Sequence, residues 1–162
     1  MINIGDKVVY PMHGAGLITG IENNDIDGVT KSYYVLQLPL GSLKILLPVD
    51  NIDNLGLREI ISVDEVSDVE DVLRSSPEYL RGSWNKRFTA IIERLESGDI
   101  LDAAAVTRNL TVQHGKRKIS SGERRLLELA RQILVSELVF VLDKSPEEIL
   151  EWINEHLNVK HK

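Results

Sequence analysis

At Ser62 the hydrophobic period of this chain changes, and that change constrains its fold more than any other feature. Before it, apolar residues come in runs of about five, each closed by Pro, Gly, Asn or Asp. After it, they recur every three to four positions, the spacing of one face of a helix. Lys7–Tyr10 reads as a strand that stops at Pro11, and Pro11-Met12-His13-Gly14-Ala15-Gly16 as a turn. Leu17–Ile21 is a second strand, and Asn23 to Gly28 carries the chemistry of a turn. Tyr33–Leu38, then Leu43–Leu47 between Gly41 and Pro48, then Asn51–Leu57 complete a set of five strands. Short strands with turns at both ends predict a small antiparallel barrel.

The helical part opens with Ser62-Val63-Asp64-Glu65, a capping box in which Ser and Glu bond each other's backbone amides. This helix should run to Leu73 and break at Ser75-Ser76-Pro77. Trp84, Phe88, Ile91 and Leu95 share one helical face, and Gly98 ends it. Asp99 caps a helix to about Val112, followed by a basic loop from His114 to Lys118. Ser120-Ser121-Gly122-Glu123 is a second capping box, ahead of a long helix to Leu142. Ser145-Pro146-Glu147-Glu148 starts a last helix that ends near Leu157. The reading is α+β by segments, with a barrel domain over residues 1–73, including a short linking helix at 63–73. A linker over 74–81 and an all-α domain over 82–162 follow.

Composition narrows the function. None of the 162 residues is cysteine, which excludes disulfides, thiolate nucleophiles and Cys-type zinc sites. The longest apolar run, Leu138 to Leu142, is far short of the roughly 18 residues of a membrane helix. MINIGDKVVY lacks the pattern of a secretory signal, so a cytoplasmic location is expected, with no membrane partner. The histidines do not cluster, and the paired carboxylates sit at helix starts or on polar faces; no metal, cofactor or catalytic constellation is expected. His13-Gly14-Ala15-Gly16 lacks the longer glycine pattern of a phosphate-binding loop. Enzyme is the weakest class.

Charge points elsewhere. The formal net charge is −6, but residues 1–73 hold 4 basic and 12 acidic side chains, while 74–133 hold 12 basic and 7 acidic. A basic face acts on its surroundings over a Debye length, about 8 Å in physiological salt, whatever the total charge. Its components are Lys86 and Arg87, the run Lys116-Arg117-Lys118, and Arg124-Arg125 at a helix start, where free amides also favour phosphate. Charge asymmetry alone favours a solvated helix surface of mixed charge. Trp84 has two readings: a core residue in line with Phe88, Ile91 and Leu95, or a ring that stacks on or wedges against bases. Trp152, in an acidic helix with Ile149, Ile153 and Leu157, reads as core.

Two sets of residues carry a family resemblance. One is Gly5-Asp6-Lys7-Val8-Val9-Tyr10-Pro11 with His13-Gly14-Ala15-Gly16. The other is Trp84 with Arg87, Leu95-Glu96-Ser97-Gly98-Asp99, Ser121-Gly122-Glu123-Arg124 and Ala130-Arg131-Gln132-Ile133-Leu134. In this order, over about residues 1–139, the chain resembles the CarD/CdnL family of bacterial transcription regulators that bind RNA polymerase. The first part also resembles the polymerase-interacting domain of transcription-repair coupling factors. The resemblance implies a Tudor-like, SH3-like barrel that docks on the RNA polymerase β subunit through an open strand edge. The matching positions are Leu43, Lys44, Ile45 and Leu46, with Ile26 in the neighbouring turn. Asn24 and Leu46 stand where some members have arginine, which implies a more apolar contact or a partner surface that differs between lineages. The helical domain would bind promoter DNA without base readout and set Trp84 at the upstream edge of the melted bubble. Arg87, Arg124 and Arg125 match the family's basic face; Lys86 and Lys116, Arg117, Lys118 join it by proximity. The expected molecule is a monomer that stabilises the open complex, held at the nucleoid through polymerase. A protein adaptor whose helical domain ignores DNA is the rival reading, followed by an enzyme acting on a small molecule.

Overall fold

Asp27 and Gly28 both hold positive φ, 51° and 78°, so the chain reverses in a two-residue hairpin turn whose twist suits the flanking strands. The turn joins β2 (Gly14–Ile26) to β3 (Val29–Gln37), with Ile26 opposite Val29. The computed structural model that shows this describes residues 2–116 and 118–157. Asn23 to Ile26, expected in a turn, therefore belong to the strand. Pairing overrides their local preference, and Ser32 donates a 2.6 Å bond across the ladder to Asn23 Oδ1. Ile26 is thus a strand residue rather than a turn residue.

β1 (Lys7–Tyr10) pairs with the start of β2, β4 (Lys44–Pro48) with β3, and β5 (Arg58–Glu59) with β1. All pairs are antiparallel, in the order β4-β3-β2-β1-β5. A bulge between Ile18 and Gly20 bends β2, which lets one long strand serve two neighbours and rolls the sheet into a Tudor-like barrel. Val8, Ile18, Leu36 and Leu47 fill its core.

Three strand boundaries differ from expectation. Gly14 to Gly16 lie in β2, and the reversal before them is made by Met12 at φ 73°. β4 begins at Lys44; the Leu43 carbonyl instead accepts the Leu38 N–H at 3.0 Å and closes the connecting loop. Asn51–Leu57 is not a strand: Val49–Asn54 is a 3₁₀ turn and the fifth strand is Arg58–Glu59. Its Asp and Asn side chains favour local bonding over a ladder, as in the 2.7 Å bond from Asn54 to Asn51.

The helices are α1 (Val66–Arg74), α2 (Trp84–Glu96), α3 (Ile100–Lys116), α4 (Ser121–Leu142) and α5 (Pro146–Leu157). Both expected capping boxes form, at Ser62–Glu65 and Ser120–Glu123. Helix α3 reaches Lys116, so the basic segment from His114 is mostly helical rather than a loop. Val69 and Leu73 of α1 are buried in the helical core with Ile91, Leu134 and Ile153. The linking helix thus packs on the helical part rather than on the barrel.

The barrel and the helices meet through small residues, through Met12, Leu40 and Ile61 packed on the helical core, and through a sheltered ion pair. The Ala15 N–H donates to Ser136 Oγ on α4 at 2.8 Å, and a Cβ on Gly14 would lie 2.5 Å from that oxygen. A Cβ on Gly98 would lie 3.0 Å from Pro11, so these glycines permit close approach. Arg58 grips Glu137 with two bonds of 2.7 and 2.8 Å, and its Nε–H reaches the Gly98 carbonyl at 2.7 Å. Glu137 is 1% exposed and also accepts the Ile61 N–H at 2.8 Å. No helix is long and apolar enough to cross a membrane among the described residues.

Candidate functional site

Ser83 caps α2 by accepting the Lys86 N–H at 3.3 Å, which places Trp84 in the first turn. Further along the same face Ile91 and Leu95 are buried, Phe88 is half-buried, and Trp84 emerges at 42% exposure. Trp84 stacks on Phe88 with ring centroids 4.9 Å apart and an interplanar angle of 23°. Its indole N–H donates to Ser120 Oγ at 3.3 Å, which also accepts the Glu123 N–H at 3.1 Å. The Ser120 hydroxyl proton goes to Glu123 Oε1 at 3.1 Å, so the capping hydroxyl is fully used. A Cβ on Gly122 would stand 2.8 Å from the indole ring, so the α4 terminus forms a flat seat beneath it. The ring is therefore part covered by Phe88 and the α4 start and part open to solvent, while Trp152 packs on the helical core with its ring centre 4.2 Å from that of His156.

Arg124 and Arg125 follow directly in the first turn of α4, both exposed, where the positive end of the helix adds to their charge. Across the seat, Lys86 is exposed and Arg87 half-buried, its Nη1 donating to the Gly82 carbonyl at 3.2 Å. Lys116 ends α3 and donates to the Tyr79 hydroxyl at 2.9 Å, lying 5.6 Å over that ring's centre. Lys118 is exposed, tethered by the buried Ile119 next to it. Arg117 lies outside the described residues. Trp84, Arg87, Arg124 and Arg125 thus share the junction of two helix starts. The sequence marks Ser120 and Gly122 as part of a capping box but gives no sign that they touch Trp84, or that Tyr79 meets Lys116.

The barrel offers the second surface. Among the described residues β4 has a neighbour on one side only, so its outer backbone groups are open to a further strand. Ile45 faces inward onto the barrel core, and strand alternation turns Lys44 and Leu46 the other way. Lys44 pairs with Glu22 at 2.8 Å. Leu43 and Ile26 are exposed at 49% and 54%. Ile45 is therefore available to a partner through its backbone rather than its side chain. The opposite edge, β5, is short and turned to the helices through Arg58.

Two family models match along this same division. Residues 2–61 match the CarD-like/TRCF RID domain, and residues 68–154 match the CarD C-terminal domain. The chain is also 26% identical to "Putative transcription factor YdeB" of Bacillus subtilis (strain 168) over 138 residues, which are 85% of this chain and 90% of that protein. An RID-type barrel with one open edge, joined to a matching CarD helical domain in the same order, leaves one conclusion: the chain belongs to the CarD family and is a transcription regulator of the kind that interacts with RNA polymerase.

Proposed function

We propose that this protein docks on the RNA polymerase β subunit through β4 and stabilises the promoter open complex with its helical domain. The observation that carries the reading is the seat of Trp84: a 42%-exposed indole on a helix terminus, beside the exposed Arg124 and Arg125. The arginines and the helix start take phosphate, and the indole edge props the minor groove where upstream duplex meets the bubble. The minor groove offers only a degenerate code, so contact is independent of sequence. Docking raises the local concentration of the helical domain, so weak intrinsic DNA affinity suffices. A preference of roughly 1–2 kcal/mol for the open state would raise the ratio of open to closed complexes about five- to thirty-fold.

The test is the lifetime of open complexes formed by bacterial RNA polymerase without protein, with wild type and with folded Trp84→Ala. Wild type should lengthen the lifetime and Trp84→Ala should not. Equal action by both would return Trp84 to a purely structural role. One observation favours the adaptor reading: the indole N–H is already satisfied by Ser120. No effect of wild type, together with retained polymerase binding, would select it.

A further inference from the structure

Behind the Trp84 seat, α2, α3 and the segment 78–80 enclose a pocket of about 250 Å3. Ile91, Val106 and Leu110 form its floor, and Tyr79 and Leu80 its mouth. Its volume lies just below the roughly 300–1,000 Å3 of common small-molecule sites, which suits a compact ligand of two or three rings.

The charges around it do not balance locally. Glu78 is held by Arg108 at 2.8 Å and Arg94 at 3.3 Å, and Arg94 also meets Asp102 at 3.3 Å. Glu123 is occupied by its capping box and by Gln113 at 3.3 Å. Two lining cations remain, Arg87 and Lys116, and neither has a carboxylate partner among the described residues. The Arg87 Nε–H is buried with no acceptor among the described residues. A buried charged donor without a partner is costly, and an anion that drew the guanidinium into the pocket would supply one.

We propose that this pocket binds a small amphipathic anion, an aromatic or branched body carrying one carboxylate, sulfonate or phosphate. The body lies on Ile91, Val106 and Leu110, and the anionic group faces Arg87 and Lys116. Bound anion holds Arg87 toward the pocket and so subtracts it from the basic face. That second effect rests on the function proposed above; the binding itself does not.

The probe is 1-anilinonaphthalene-8-sulfonate, with the neutral N-phenyl-1-naphthylamine as the same body lacking the charge. Titrated by fluorescence into the full chain, the sulfonate should bind at one site, about tenfold or more tighter than the neutral compound, the worth of one charge-assisted hydrogen bond. Val106→Phe should abolish binding of both by filling the floor. Lys116→Glu, at an exposed position, should remove the preference for the anion and keep the neutral compound bound. Circular dichroism establishes that each variant is folded. Equal binding of the two compounds, or sulfonate binding that survives both substitutions in folded protein, overturns the proposal. Sulfonate binding with no change in affinity for a short DNA duplex would keep the site and remove its effect on the basic face.

Discussion

Trp84 rests on Gly122 because nothing larger than hydrogen fits there. Gly122→Ala gains up to about 1 kcal/mol of helix propensity but overpacks the rigid indole, at about 1–3 kcal/mol. We expect a net loss of about 1 kcal/mol and a red-shifted Trp84 emission, read in a Trp152→Phe background. An unchanged spectrum would show that the ring does not lie on the helix start. Glu78 gives a pH signature. Burial by itself raises its carboxyl, but Arg94 and Arg108 outweigh that and hold it below its ordinary value of 4.5. A depressed carboxyl stabilises the fold above its unfolded value and loses that contribution as pH falls through the folded one. The melting temperatures of wild type and Glu78→Gln should differ near neutrality and converge in acid. The Trp84 alternatives were not separable by spacing, because burial fades along α2: Ile91 is closed in and Trp84, on the same face, is open.

At the scale of elements, the start of α4 and the edge β4 carry the two proposed contacts. Replacing Arg124 and Arg125 by Ala should lower the slope of log affinity against log salt by roughly 2, since each cation neutralises about one phosphate. An unchanged slope in a DNA-binding titration would move the basic face elsewhere. Leu46→Glu should abolish polymerase capture and leave the melting temperature nearly unchanged, because alternation turns Leu46 away from the core. Ile45→Glu should instead unfold the barrel, which makes it a poor probe of docking. The helices were legible because their period and capping boxes are local signals. The strand boundaries were less so. The Asn23 to Ile26 stretch has turn composition but a partner strand to pair with, and the fifth strand is only Arg58–Glu59, too short to leave a period.

In the whole molecule, the joint between barrel and helices is the feature that sequence could not show. Arg58 and Glu137 are 79 residues apart, and no periodicity links them. The glycines near Pro11 read as turn signals although Gly14 and Gly98 also serve close packing. Arg58→Ala would strip the buried Glu137 of its counter-charge, at about 3–5 kcal/mol. With no native cysteine, spin labels at Lys31→Cys and Lys144→Cys report the joint directly. Wild type should give one narrow distance distribution and Arg58→Ala a broad one; equal widths would mean that the ion pair does not set the orientation. The joint is sheltered while Arg124 and Arg125 face solvent, so rising ionic strength weakens the hold on phosphate well before it weakens the joint. On the proposed reading, the protein is then a spanner of fixed opening. It turns with polymerase and DNA together or lets go of one of them, and it has no slack with which to stretch between the two as the enzyme leaves the promoter.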